Sequence, residues 1–176
     1  MPSNTYVLIS SVTVGAGGAS SIDFTSIPAT YTDLVIKLSA RSNRSSGDAN
    51  SIKITFNGST SGYTFRLLYG DGSNAYSSTQ ASYFTNAGWG GYADQNTGNT
   101  ASTFSSHEIY IPNYAGSNNK SFSVDSVHEN NAANAYAALV ANLWSNTSAI
   151  TSISLVPEGF SFVQYSDAYL YGVKNS

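Results

Sequence analysis

The sequence predicts an all-β fold: an antiparallel β-sandwich, jelly-roll-like, of about ten strands in a single domain. Three observations predict it. Apolar and polar residues alternate with period two through most of the chain, the pattern of strands buried on one face. Turn signals built on Gly, Asn and Asp punctuate those runs at short spacing. No stretch shows the strand–helix–strand rhythm of a parallel sheet.

Taken in order, a short N-terminal arm, residues 1–5, leads into a first strand that ends at the Gly15-Ala16-Gly17-Gly18 turn. Ile22 and Phe24 then alternate with Asp23 and Thr25. Leu34, Ile36, Leu38 and Ala40 alternate with Asp33, Lys37, Ser39 and Arg41, and only Val35 breaks the polar side. Ile52, Ile54 and Phe56 form a fourth inward row, closed by Asn57-Gly58. Tyr63, Phe65, Leu67 and Tyr69 form a fifth, closed by Asp71-Gly72; both dipeptides favour turns with positive φ. Ile109 and Ile111, Phe122 and Val124, and Ile153 and Leu155 continue the pattern, with turns at 113–119 and at Pro157-Glu158-Gly159.

Two segments are less regular. Residues 71–103 mix glycines, aromatics and polar residues without a clear period, and read as a long irregular loop. The Ala-rich run within 134–146 has helical propensity. Its Tyr136, Ala138, Val140 and Trp144 nonetheless share one strand face while Leu139 and Leu143 take the other, which reads as a strand buried on both faces.

Composition narrows the function. Only 10% of the 176 residues are charged, whereas 78 are Ser, Thr, Asn or Gly, and 23 are aromatic. Such an aromatic load belongs to a folded chain. A net charge of −3 with no cationic run gives no footprint for nucleic-acid phosphates. No apolar run approaches the ~20 residues that a membrane helix needs. The N-terminal MPSNTYVLISS lacks the basic and apolar regions of a secretory signal. The absence of cysteine removes disulfides, thiolate metal sites and cysteine nucleophiles.

Catalytic constellations are sparse. His107 and Glu108 are strand neighbours that point to opposite faces, which makes His107 a surface residue beside a strand charge. Asp125, His128 and Glu129 cluster, but a zinc-protease pattern needs a second His where Ala132 stands. No serine occupies a nucleophile elbow. Asp94-Gln95-Asn96-Thr97-Gly98 lacks the sixth-position glycine and closing glutamate of a calcium loop. Paired carboxylates for glycoside cleavage depend on sheet neighbours that spacing does not reveal. The reading is a non-enzyme with no cofactor and no metal.

The informative surface feature is aromatic. Tyr76, Tyr83, Phe84, Trp89 and Tyr92 fall close together around Gly88, Gly90 and Gly91. Exposed Tyr and Trp suit contact surfaces because they offer large area at low entropic cost. The alternatives are stacking on sugar rings and a plug folded over one end of the sandwich.

The stretch Ile22 to Arg41, IDFTSIPATYTDLVIKLSAR, resembles the opening of small structural proteins of tailed bacteriophages, cyanophages among them. The recurring elements are Phe24, Ile27, Pro28, Tyr31 and Leu34; Phe56–Ser73, Ile109–Ser123 and Tyr169–Val173 are also similar to that family. Physically, Pro28 fixes φ and bars the helical region at Ile27, making a corner under which the Tyr31 ring packs. The resemblance implies a virion component at the particle surface. A capsid decoration (cement) protein, homotrimeric, would bind the major capsid protein or another virion protein through Tyr83, Phe84, Trp89 and Tyr92 and the arm from Pro2 to Tyr6. A tail, baseplate or fibre protein recognising host-surface glycans is the alternative.

Overall fold

Twelve strands and no helix make up the described residues, 5–47, 49–79, 84–95, 99–131 and 135–174 of a computed structural model. The strands are β1 (Tyr6–Thr13), β2 (Ile22–Phe24), β3 (Asp33–Ser42), β4 (Asn50–Phe56), β5 (Tyr63–Gly70), β6 (Ala75–Thr79), β7 (Gly88–Gln95), β8 (Ser105–Ile111), β9 (Lys120–His128), β10 (Tyr136–Trp144), β11 (Ile153–Pro157) and β12 (Asp167–Val173).

They form two layers. The smaller runs β2–β11–β4–β7 and the larger β1–β12–β3–β8–β9–β10–β5–β6. All pairings are antiparallel except one: Arg41 and Ser42 of β3 meet Asp94 and Gln95 of β7 in parallel, joining the layers at a corner. The order is that of a jelly roll. Two four-strand sets of such a roll arise when one long hairpin is wrapped, so strands pair by nesting. Here β4 lies on β7, β5 on β6 and β2 on β11, while β8 and β9 are inserted between β3 and β10. The strands β1 and β12 extend the large layer beyond β3.

Burial follows the alternation. In β4 every second residue from Asn50 to Phe56 is buried, and β8 and β9 repeat that pattern. The inner faces meet in one core where Phe56 packs edge-on against Phe122 at 5.0 Å and Trp144 at 5.5 Å, β4 touching β9 and β10 across the sandwich. The folded surface, 8322 Å², is near the roughly 8,000 Å² that scaling gives for a compact chain of this mass.

The structure corrects the sequence reading of two segments of the fold. The irregular stretch 71–103 contains two strands, β6 and β7. The strand β7 hides its period because glycines stand where its backbone lies directly on the opposite layer: a Cβ on Gly91 (φ +107°) would sit 2.3 Å from His107 Nδ1 and 2.6 Å from Ser126 Oγ. The run at 136–144 is a strand, but only one of its faces is buried. Leu139 is 58% exposed, because no described residue forms a layer over the outer face of the large sheet.

The corner at Pro28 is braced by a residue far away in sequence. The fully buried Tyr114 donates its hydroxyl to the Pro28 carbonyl and accepts the Tyr31 N–H at 3.4 Å. Burial raises the Tyr114 pKa, which keeps the hydroxyl a donor. The Tyr31 ring lies flat on Gly172, where an added Cβ would come within 2.2 Å of it. Two turns are fastened by single side chains in the same way. Asn57 Oδ1 accepts the N–H groups of Thr151 at 2.8 Å and Ser152 at 3.1 Å. Lys120, buried at the head of β9, donates to the carbonyls of Gly116 and Asn118, and desolvation lowers its pKa.

Candidate functional site

Two groups of buried polar residues contain the histidines. At the corner where β3 meets β7, the Arg41 guanidinium stands 3.5 Å from Asp94 Oδ2 and also donates to the Thr103 carbonyl at 2.8 Å and the Thr100 carbonyl at 3.2 Å. Thr103 and Asn99 donate to the same carboxylate. His128, fully buried, accepts the Tyr136 N–H on Nδ1 at 3.2 Å, and its Nε2 lies 3.1 Å from the Asn130 side-chain amide nitrogen and 3.7 Å from Asp94 Oδ1. Asp94 is thus the hub that ties residues 99–103 to three strands. It is not a free calcium ligand; Asn96, Thr97 and Gly98 lie outside the described residues.

The second group is Ser105 and His107. Serine Oγ lies 2.7 Å from His107 Nε2 and donates to the Ala40 carbonyl at 2.8 Å. His107 and Glu108 do point to opposite faces, but His107 is 2% exposed, not a surface residue, because its face of β8 looks inward onto β7. Burial pulls its pKa down to about 3, so the ring is neutral at physiological pH. Both partners are sealed in the core, so this pair offers a substrate no approach.

On the outer face, register places Asp125 directly opposite Glu108. Glycoside cleavage needs one carboxyl desolvated enough to stay protonated. These two lie on the open face, and Glu108 is ion-paired with Lys37 of β3. Among the described residues no three His, Asp or Glu side chains are grouped to hold a metal ion.

What remains is surface. The outer face of β5, β10, β9 and β8 carries a shallow groove of about 850 Å³ whose walls include Arg66, Leu68, Leu139, Asp125, Tyr110 and Pro112. Its floor is small: Ser121, Ser123 and Ala141. Two cross-strand rows pass through it, Leu68–Leu139–Asp125, which continues beyond the groove to Glu108 and Lys37, and Arg66–Ala141–Ser123–Tyr110, which ends at the buried Val35. Tyr110 is held upright by its hydroxyl, which donates to Asp33 Oδ2 at 2.8 Å; that bond is the main reason its pKa is raised.

The aromatic residues singled out in the sequence separate. Trp89 and Phe84 are core side chains rather than contact residues in this fold, at 0% and 7% exposure. Trp89 is buried because β7, the last strand of the small layer, lies against the large layer, where Asn142 of β10 hydrogen-bonds both its N–H and its carbonyl. Tyr92 is half-buried and joins a rim of rings that the large sheet leaves uncovered at its β5–β6 end. Tyr69 stacks on Tyr76 at 4.9 Å, and Tyr136 lies 5.1 Å from Tyr92 and 5.9 Å from Tyr69. Tyr69 and Tyr136 were invisible as members because they sit in ordinary strand alternation. Tyr6 is 54% exposed and packs edge-on against Tyr171. Pro2 and Tyr83 lie outside the described residues.

No family model matches this chain, and neither a curated protein nor a solved structure matches it. The reading of function therefore rests on the sequence resemblance and on the chemistry of these surfaces.

Proposed function

We propose that this chain is a non-enzymatic structural protein of a tailed-bacteriophage particle, a capsid decoration (cement) protein that associates with the major capsid protein or another virion protein. The observation that carries the reading is the outer face of the large sheet. Leu68, Leu139 and Val127 are exposed there by 53%, 58% and 46%, with Ser and Ala between them. The leucines and the Ser121, Ser123 and Ala141 floor desolvate at low cost, while Arg66, Asp125 and the Lys37–Glu108 pair offer charged partners around them. Jelly rolls also occur in viral capsid and lectin domains, which supports the assignment by analogy only.

The mechanism is mass action. A protein that binds only the assembled shell favours that shell, by about 2.7 kcal/mol per site at a free concentration a hundredfold above Kd. The test is stoichiometry on purified particles by quantitative mass spectrometry. Hundreds of copies per particle support decoration, a handful points to the tail, and none overturns a virion role.

The tyrosine rim favours a second reading, recognition of host-surface glycans. Tyr76 is 40% exposed with one ring face on Tyr69, and Asp71 stands in the adjacent hairpin turn. Glycan-array binding by the intact protein that disappears in Tyr76→Ala would establish it, and an array without signal would remove it.

A further inference from the structure

Beyond that reading, we infer that β6 is a self-association edge: two copies of this chain pair β6 against β6, antiparallel about a two-fold axis at Ser77, and join their large sheets edge to edge. This two-fold pair stands in place of the homotrimer carried by the decoration reading.

The argument begins with the hydrogen-bond ladder. The Asp71 N–H donates to the Asn74 carbonyl at 3.2 Å in the hairpin between β5 and β6. Antiparallel pairs alternate between bonded and non-bonded, so Tyr69–Tyr76 and Leu67–Ser78 are bonded pairs while Gly70–Ala75, Leu68–Ser77 and Arg66–Thr79 are not. The N–H and C=O groups of Ala75, Ser77 and Thr79 therefore point away from β5. Among the described residues β6 ends the sheet and pairs with nothing on that side.

Free edges are normally blunted with charge, proline, a bulge or shortness. The edge strand β2 is three residues long and carries Asp23. The edge strand β1 has a register irregularity between Leu8 and Ser10. The strand β6, AYSST, has no charge, no proline and a continuous register against β5. It is the one described edge of the large sheet left open.

The occupant follows from the side chains. With the axis at Ser77, Ser77 meets itself, Ala75 meets Thr79 and Tyr76 meets Ser78. Each pair keeps its face, and on the inner face the large ring of one copy lies opposite a small hydroxyl of the other. The two tyrosines thus interdigitate without collision, and no like charges are opposed. All three outward residues become bonded pairs. The same strand in both copies satisfies the same requirement, which is what an isologous contact demands. One added strand buries less than the ~1,000 Å² of a stable interface, so the pair is concentration-dependent.

Sedimentation of the full chain over a concentration series tests this, with amide hydrogen exchange alongside. The expected result is a mass rising from 18.5 kDa toward about twice that value, with Ser77 and Thr79 amides protected only at high concentration. Ser77→Pro removes an outward N–H and leaves the β5 ladder intact, so it should stay monomeric with an unchanged far-UV spectrum. Should that variant fail to fold, Ser77→Lys opposes two like charges at the axis and should also abolish the mass increase. A wild-type protein monomeric up to its solubility limit, a trimer, or a dimer that survives the folded variants would overturn the inference.

Discussion

The two faces of the large sheet have the same backbone and opposite fates. The inner face carries Phe65, Phe122, Val124, Val140 and Trp144, each at most 3% exposed, against the small layer. The outer face carries Leu68, Leu139 and Tyr110 beside Ser121, Ser123 and Asp125, open to solvent. One face is defined by what covers it and the other by what it could be covered with. Stability is therefore concentrated on the inner side, and the outer side is where substitutions should change association with little effect on folding.

The sharpest way to break this contrast is at the buried seam. Trp89→Ala removes a fully buried ring between the layers and should cost about 3–5 kcal/mol in urea unfolding; a loss below about 1 kcal/mol would place Trp89 outside the core. Arg41→Ala leaves the buried Asp94 carboxylate without its cation and should cost a comparable ~3–5 kcal/mol, read by the same titration.

Gly172→Ala tests the corner on the far edge of the molecule. Its new methyl meets the Tyr31 ring, and the overpacking should cost about 1–3 kcal/mol, seen as a lowered Tm. A neutral result would mean that the ring moves aside freely.

The pH dependence probes the inner face through His107. Its pKa is about 3 when folded against about 6.5 when unfolded, so between those values the unfolded chain binds the extra proton. Stability should fall as pH drops from about 6.5 towards 3, with no contribution from this residue above that window. His107→Gln should show a shallower decline in Tm between pH 6.5 and 4; an identical slope would show that His107 is accessible in the folded state.

The smallest expected effect is on the outer face. Leu139→Ser should change folding stability by no more than about 0.5 kcal/mol, yet lower the copy number retained on particles under the proposed role. A large loss of stability instead would mean that this face is covered within the monomer.

Much of the fold was legible because period-two alternation is a local record of a one-sided environment. The inward rows at Ile52–Phe56, Tyr63–Leu67 and Phe122–Val124 are all core, and Tyr69 continues the second of them into the rim. Legibility failed where that environment is two-sided or set by distant chain. The strand β7 lies between a neighbour strand and the opposite layer, so glycines and buried polar residues replace alternation, and Trp89 looked like a loop aromatic. Leu139 and Leu143 looked like a second core face, since a leucine sequence does not say whether a covering layer exists.

The candidate surfaces were only partly legible. Tyr76 and Tyr92 were identified from local aromatic density, but Tyr69 and Tyr136 join them only through the register of β5, β6 and β10. Likewise Pro28 and Tyr31 announced a corner, while Tyr114, which holds it, came from 83 residues further on.

By itself, then, the sequence determined the all-β class, most strand faces and turns, and a chain poor in charge, because these depend on residues close together along the backbone. Only the tertiary structure decided which strands pair, that Asp94 and His107 are interior, and that Trp89 is core while Tyr76 is rim. Those outcomes depend on which distant segment removes water from a side chain, and that is a property of the packed layers.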